Sequence, residues 1–234
     1  MTETVVYLQP ALILQHRPYR ESSLLLEVFT RDFGIVSVLA KGVRKEKSKM
    51  AGLLLPFTLL NVSYLDRSEL KTLIQAEYLG SYALQRLALY CGFYVNELVQ
   101  KFLHKHDPHP ELFDCYRRCL QDLSRADAIE QTLRYFELDL LTETGYGGQL
   151  DIDGNTGDAV QDSRRYNFLP GFGMVDDPGG LVSGETLRVL AAQGELNRIA
   201  LSEAKLLSRK MLDAHLQGRP LKSRDVLAKI IKYL

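Results

Sequence analysis

The chain has 234 residues, of which 46% are hydrophobic and 25% are charged, an ordinary composition for a globular protein with a sizeable core. Its 29 basic and 29 acidic residues cancel, so the total charge by itself predicts no acidic or basic partner. No apolar run reaches about 18 residues, and no basic segment precedes an apolar one at the N-terminus. We therefore expect a cytoplasmic protein without a membrane span or a secretory signal. The three cysteines are an odd number without paired spacing, which argues against a disulfide framework.

The first 80 residues alternate between apolar and polar side chains with a period of two, which is typical of half-buried strands. The segment SSLLLEVFT places Leu24, Leu26 and Val28 on one face, and GIVSVLAKG and LKTLIQAEYLG repeat the pattern. The short connections RDFG and DRS suit hairpins between such strands. Five or so short strands within about 75 residues predict a small closed β-barrel.

The stretch AKGVRKEKSKMAG follows the third predicted strand and concentrates positive charge. Within it, five bases and the single acid Glu46 give a net charge of +4. The bases of this basic loop are Lys41, Arg44, Lys45, Lys47 and Lys49. Such a cluster can bind nucleic-acid phosphates by releasing counterions. Most charged runs are solvated loops, however, so composition alone leaves both interpretations open.

Beyond Ser81 the apolar period changes to 3.6 residues, which is typical of amphipathic helices that bury their apolar stripes together. Helices are predicted at about 83–104, 111–124, 128–144, 183–193, 201–217 and 223–234. The segment from about 145 to 181 is rich in Gly, Asp and Asn and is predicted to be an irregular, loop-like insertion. The sequence therefore predicts an α+β protein, with a barrel domain at 1–80 and a helical domain at 81–234.

Charge is unevenly spread along this neutral chain. The net charge is +2 in residues 1–80, −3 in 81–145, −4 in 146–200 and +5 in 201–234. The basic loop and the C-terminal helices are therefore the two places where an anionic partner is expected.

The segment HKHDPHP offers imidazole and carboxylate groups that could bind a metal. Its side chains of this kind are His104, His106, Asp107 and His109. Their order departs from the H-x-H-x-D-H pattern of metallo-β-lactamase-like hydrolases, and they follow a helix rather than a strand, which favours a helix-ending loop. The glycine-rich segments TGYGG and PGFG lack the spacing of phosphate-binding loops, and no nucleophile motif occurs. We therefore predict no catalytic residue, no metal, no cofactor and no enzymatic activity.

Several stretches, through their order and spacing, resemble the bacterial RecO family of recombination mediators over nearly the whole chain. They are RPYRESSLLLEVFTRDFGIVSVLAKGVRK, LLPFTLL, LKTLIQAE, YVNEL, LRYFELDLLTETGYG and GRPLKSRDVL. The resemblance implies an N-terminal OB-fold followed by an α-helical domain with a zinc-finger-like insertion. Some family members bind zinc there through four cysteines, whereas this insertion has none. We therefore expect a metal-free insertion that packs through Tyr146, Tyr166, Phe168 and Phe172.

The resemblance also implies a role in DNA repair and homologous recombination. It implies binding to single- and double-stranded DNA and annealing of complementary strands. It further implies cooperation with RecR and contact with the acidic C-terminal tail of single-stranded-DNA-binding protein. Together these properties would help to load RecA onto coated strands at the nucleoid.

Given this resemblance, the basic loop becomes the expected DNA contact. Arg17 and Arg20 of RPYRESS and the C-terminal residues Lys222 and Arg224 are expected to contribute to it. Contact through flexible cations would make DNA binding indifferent to base sequence.

A receptor for the acidic tail needs an apolar notch rimmed by bases, Arg in particular. The candidate tail-binding residues are Leu133, Arg134, Phe136, Leu140, Arg209 and Lys210. Two alternatives stay open: Arg134 could pair with Glu130 or Glu137 one helical turn away, and the C-terminal cations could be ordinary helix-end charges.

Three classes of function therefore remain. The first is a DNA-binding recombination mediator, whose DNA affinity would fall steeply with salt. The second is a protein-interaction module that captures an acidic peptide tail without a DNA role of its own. The third is a metal-dependent hydrolase that uses the histidine segment and would retain metal on purification.

Overall fold

The computed structural model describes residues 4–46, 48 and 50–231, and a five-stranded closed barrel forms its first part. The strands are β1 Thr4–Tyr19, β2 Ser23–Thr30, β3 Gly34–Ala40, β4 Thr58–Asp66 and β5 Leu70–Ser81. Around the barrel they follow the order β1-β2-β3-β5-β4, and β1 closes it by pairing with β4. Only the β3–β5 pair is parallel among these described strands. The α+β class and the OB-type barrel are therefore confirmed.

The alternation that predicts the strands also sets the register of the barrel core. Leu24 pairs with Ala40 and Leu26 pairs with Val38 across β2 and β3, and all four side chains are buried. Leu25 lies between the two leucines and faces the other way, because neighbouring side chains of a strand point to opposite faces. It is only half-buried. Its partner on β3, Leu39, is also half-buried, so the outward side chains at this end of β2 and β3 are only partly covered.

Six helices and a second sheet follow β5 in the described part of the chain. The helices are α1 Arg86–Phe102, α2 Pro110–Arg125, α3 Ile129–Glu143, α4 Gly184–Ala191, α5 Arg198–Leu216 and α6 Lys222–Ile231. The strands are β6 Arg165–Leu169, β7 Gly173–Asp176 and β8 Val182–Ser183. All six predicted helices are present, and their described ends lie within a few residues of the predicted ones.

The chain divides into two compact units. The barrel unit comprises Met1–Arg125 with Ser223–Leu234, and the second unit comprises Ala126–Lys222. Helix α1 belongs with the barrel because Asn96 Nδ2 donates to the carbonyl oxygen of Leu14 at 2.8 Å. The predicted border at residue 80 marks the change from strands to helices, whereas the compact units divide after α2. The predicted boundary between independently folding domains, after residue 80, stays a prediction.

The insertion is not loop-like throughout, contrary to the expectation from its composition. It contains a three-stranded antiparallel sheet in the order β7-β6-β8. Tyr166 and Phe168 of β6 are buried at alternate positions of the strand. The strand is short and the segment around it is rich in Gly, Asp and Asn, so the sequence pattern does not indicate a strand there. The other two aromatic residues expected to pack, Tyr146 and Phe172, are instead 46% and 62% exposed.

Two buried carboxylates hold the second unit together. Asp153 Oδ2 accepts a hydrogen bond from the backbone N of Asp176 at 3.2 Å. Glu203 of α5 accepts one from Arg165 Nη1 and one from the backbone N of Ser183, both at 3.0 Å. Burial alone would raise the pKa of the Glu203 carboxyl, but the hydrogen bonds that it accepts outweigh burial and lower this pKa. The charged form of Glu203 therefore ties α5 to the sheet.

Candidate nucleic-acid interface

The basic loop folds back onto the turn between β1 and β2. The backbone N of Arg44 donates to the carbonyl oxygen of Ser22 at 2.9 Å, and Arg44 Nη1 donates to the carbonyl oxygen of Arg20 at 3.2 Å. Arg20 has a left-handed backbone with φ of 51°, and its guanidinium carbon lies 5.4 Å from the centre of the Tyr19 ring. This distance is that of a cation–π contact. Loop and turn therefore form one connected surface.

The turn and the loop line a groove of about 730 Å³, named here the basic groove. Its lining residues are Tyr19, Arg20, Glu21, Ser22, Ser23, Leu39, Lys41, Gly42 and Lys45. Arg20, Lys41 and Lys45 are exposed cations, and Glu21 is the single carboxylate among these described residues. The groove thus offers net positive charge on flexible side chains, which suits phosphate groups.

Arg17 lies on β1 beside the basic groove, where it pairs in register with Leu25 of β2. A smaller groove of about 370 Å³ begins there, lined by Gln15, Arg17, Leu25, Glu27, Ser37, Glu69, Leu70 and Lys105. Because Glu27 and Glu69 accompany Arg17 and Lys105, positive charge does not dominate this groove as it does the basic one. A polyanion is therefore expected to bind first at the loop end of the outer face.

The remaining predicted DNA contacts either lie outside the described residues or do not line the basic groove. Lys47 and Lys49 lie outside the described residues. Lys222 and Arg224 lie in the first turn of α6 and are not among the described residues that line the groove. With Arg17 nearby on the same face, the structure brings together four of the predicted contacts, namely Arg20, Lys41, Arg44 and Lys45.

The predicted tail-binding residues of α3 form no exposed notch. Leu133, Phe136 and Leu140 are buried because they are the apolar stripe of the helix, and Arg134 is only 8% exposed. Arg134 Nη2 lies 2.6 Å from Oε1 of Glu137, which is the helical pairing that the sequence left open. In this conformation the four residues belong to the core, and a contact between them and a tail stays a prediction.

The predicted tail-binding residues of α5 are more accessible. Arg209 is exposed and its Nε lies 3.8 Å from Oδ2 of Asp213. Lys210 is half-buried, and its Nζ donates to Oδ1 of Asn167 at 2.6 Å. Ion pairs between exposed groups contribute little, so Arg209 can exchange its partner for another carboxylate.

Six further residues line the basic groove although they were not among the predicted DNA contacts. They are Tyr19, Glu21, Ser22, Ser23, Leu39 and Gly42. Spacing is the signal for Tyr19, because it lies two residues after Arg17 in a strand and so shares a face with it. The two serines carry no such signal, since they meet the loop only when the chain has folded back.

The histidine segment joins α1 to α2 and packs against the start of β3. The backbone N of His106 donates to the carbonyl oxygen of Ile35 at 3.1 Å. His109 Nε2 lies 3.3 Å from Oδ2 of Asp107. Within the described residues no three His, Cys, Asp or Glu side chains come together as a metal site.

Among all the described residues, no helix is long and apolar enough to cross a membrane.

Comparison with known proteins finds one family over both parts of the chain. The model of the recombination protein O N-terminal region matches residues 1–82, and that of its C-terminal region matches residues 84–225. A DNA repair protein RecO of Methylococcus capsulatus is 43% identical over 224 residues, which cover 94% of this chain and 93% of that protein. The DNA repair proteins RecO of Aromatoleum aromaticum and Laribacter hongkongensis are 39% and 40% identical. In both comparisons the matched residues make up 95% of this chain. They make up 95% of the Aromatoleum protein and 94% of the Laribacter protein.

Proposed function

Since the chain belongs to the recombination protein O family of DNA repair proteins, we propose that it binds single- and double-stranded DNA through the basic groove and anneals complementary strands. The observation that carries the proposal is the grouping of Arg20, Lys41 and Lys45 around one groove on the outer side of an OB-type barrel. OB-folds bind oligonucleotides on the outer face of strands 2 and 3 and at the loop between strands 1 and 2.

The proposed mechanism is electrostatic. Two complementary strands repel each other through their phosphates, and cations that neutralise these phosphates lower the repulsion while they release bound counterions. Lysine and arginine side chains that contact phosphates leave the base edges free, so the bases remain available for pairing. No covalent bond is made or broken, and the protein acts as a binding protein rather than an enzyme.

The proposal extends to protein partners in the cytoplasm. The protein would cooperate with RecR and contact the acidic tail of single-stranded-DNA-binding protein. It would thereby help to load RecA onto coated DNA at the nucleoid. For the tail, the cations of α5, Arg209 and Lys210, are the better candidates, because they are more accessible than Arg134. Arg can hold a carboxylate through two parallel hydrogen bonds.

Reversal of charge in the basic groove tests this function. The double variant Lys41→Glu, Lys45→Glu is compared with wild type for binding to a single strand and to a duplex by fluorescence anisotropy, and for the rate of strand annealing. Lys101→Glu is the matched control, because Lys101 is an exposed lysine of α1 that does not line the groove.

We expect the double variant to lose about tenfold or more in affinity for both DNAs and to anneal more slowly, because several phosphate contacts are lost. The control should retain both activities. Unchanged DNA binding by the double variant would contradict the proposal that DNA binds in the basic groove. If the wild-type protein binds an acidic peptide tightly but has no affinity for DNA, the result would instead support the alternative function, a protein-interaction module without a DNA role.

A further inference from the structure

Another cavity, of about 520 Å³, lies within the second unit, between the insertion and the end of α5. The rings of Tyr146 and His215 form part of its wall and stack with their centres 3.4 Å apart and an angle of 34° between their planes. Phe172, in the turn between β6 and β7, also lines it and is 62% exposed. This aromatic pocket, defined by Tyr146, Phe172 and His215, shares no lining residue with the basic groove.

The turn that carries Phe172 keeps its surroundings open. Gly171 and Gly173 flank it with φ of 83° and 84°, a backbone conformation that side chains other than glycine rarely adopt. A Cβ at either glycine would have no atom within 4 Å apart from those of its two chain neighbours. No residue beyond these neighbours is therefore packed against these positions, and a flat ligand can approach the turn.

The charge of the lining distinguishes this pocket from a receptor for an anion. Among the described lining residues there is no Asp, Glu, Lys or Arg. An acidic peptide would need a cation for its carboxylates, and Arg is the usual choice. Partial burial lowers the pKa of His215 from its ordinary value, which favours the neutral ring at pH 7, and the ring offers a stacking surface.

The nearest cation in sequence is not part of the pocket. Lys210 directly precedes the lining residue Met211 on α5, and its Nζ donates to Oδ1 of Asn167. Asn167 directly precedes the lining residue Phe168 on β6, and neighbouring side chains of a strand point to opposite faces, so this contact lies on the other face of the sheet. The uncharged aromatic walls match the aromatic base of a nucleotide.

We propose that the aromatic pocket receives an unpaired base of single-stranded DNA, an inference that rests on the DNA-binding function proposed above. Every base has a flat π face, so stacking on Tyr146 or Phe172 tolerates any sequence. A base inside a duplex is already stacked and would first have to be flipped out. The pocket therefore favours single strands, whereas the basic groove binds the phosphates of single strands and duplexes alike.

The test uses the full chain and two single strands of equal length, oligothymidine and an oligonucleotide that is abasic throughout. Both carry the same phosphates, and they differ only in the presence of bases. The variant is Phe172→Ala, which should fold as wild type does because the Phe172 side chain is exposed. The control is Ile199→Ala, which removes a 70% exposed apolar side chain of the same unit that has no π face.

We expect wild type and Ile199→Ala to bind oligothymidine about tenfold more tightly than the abasic strand. Phe172→Ala should bind both strands with nearly equal affinity and should bind duplex DNA as wild type does. Photo-cross-linking of a 5-iodouracil strand to wild type should label the segments that contain Tyr146 or Phe172.

The other outcomes contradict the inference, and each shows whether DNA binding itself or only the role of the pocket has failed. A wild type that binds neither strand refutes the DNA-binding function itself. A wild type that binds both strands equally, or a Phe172→Ala that keeps the full preference, refutes the pocket and leaves DNA binding intact. If Phe172→Ala keeps its preference for bases but loses an acidic peptide that wild type binds, the pocket is a peptide site instead.

Discussion

Arg44 Nη1 donates to the carbonyl oxygen of Arg20 at 3.2 Å and so joins the basic loop to the turn between β1 and β2. The two residues are 24 positions apart in sequence. Strands β2 and β3 lie between them, and their antiparallel pairing brings the two ends together. The DNA-binding surface proposed here is therefore a product of the barrel topology and not of the loop alone.

Replacement of Arg44 tests this connection. We expect Arg44→Ala to lower the affinity for single-stranded DNA by about tenfold, because it removes one cation and also the side-chain hydrogen bond between the loop and the turn. The melting temperature should change little, since the side chain is exposed. Anisotropy and thermal unfolding measure the two quantities.

Arg125→Ala is the matched control, because Arg125 is a 63% exposed arginine of the barrel unit that also makes one polar contact, with Asp122. It should leave DNA affinity unchanged. Equal losses for Arg44→Ala and Arg125→Ala would show that any exposed arginine has the same effect, and would argue against a special role for Arg44.

Two glycines with positive φ differ in their surroundings and should differ in their tolerance of alanine. Gly34 has φ of 64°, and a Cβ there would lie 2.1 Å from the carbonyl oxygen of Asp107. Gly42 has φ of 68°, and beyond its chain neighbours a Cβ there would meet only the Lys45 side chain, with Cε at 3.8 Å and Cδ at 3.9 Å. Gly34→Ala should therefore lower the free energy of unfolding by well over about 1 kcal/mol, and Gly42→Ala by about that amount.

Urea titrations of the two glycine variants measure the difference. Because Gly34 lies at the start of β3 and Asp107 in the histidine segment, the comparison also tests whether this segment has a structural role in closing the barrel unit. Similar free energies of unfolding for the two variants would contradict the close approach at Gly34.

Glu203→Gln should destabilise the second unit by about 1–3 kcal/mol at pH 7, because the neutral amide is a weaker acceptor and also brings a donor to the buried site. The pKa of Glu203 is lowered in the folded protein from an ordinary value of 4.5. Its charge therefore adds stability above pH about 4.5, and this stability is lost as the pH falls through the lower, folded-state pKa.

The free energy of unfolding, measured against pH for wild type and Glu203→Gln, checks this linkage. The two curves should converge as the pH falls from about 4.5 through the lower, folded-state pKa, because below that pKa the Glu203 carboxyl of wild type is protonated in both states. A constant difference between the curves down to the most acidic pH would contradict a lowered pKa for Glu203.

Arg134→Ala should act mainly on stability. It removes the cation that faces Glu137, a side chain with only 1% of its surface exposed. Loss of one partner from a buried ion pair costs about 3 kcal/mol or more. Chemical unfolding measures this cost, and binding of an acidic peptide is measured in parallel at a temperature where the variant is folded. A stable variant with lost peptide binding would instead restore Arg134 as a tail contact.

The barrel and the helices were predictable because their periodicities extend over many residues. Leu24, Leu26 and Val28 alternate within one strand, and the register of β2 with β3 follows from that alternation. Strand β6 has only five residues, and its two buried aromatic side chains are too few to reveal a period. The sheet of the insertion was therefore missed.

The candidate sites were predictable only where neighbours in sequence stay neighbours in space. The charge of Lys41, Arg44 and Lys45 is visible in the sequence, and the structure places these residues beside Arg20. The exposure of Arg134 could not be predicted, since the spacing of a helix does not tell which of its polar residues turns inward. Tyr146 and His215 meet only through the packing of the insertion on α5.

The central claim, that the basic groove holds DNA through phosphate contacts, is tested most directly by a salt titration of single-stranded-DNA binding. The logarithm of the association constant is plotted against the logarithm of salt concentration for wild type and for Lys41→Glu, Lys45→Glu. Each phosphate contact on a single strand contributes about −0.7 to the slope. We predict a slope of about −2 or steeper for wild type and a clearly flatter one for the variant. Parallel lines of equal affinity would contradict the claim.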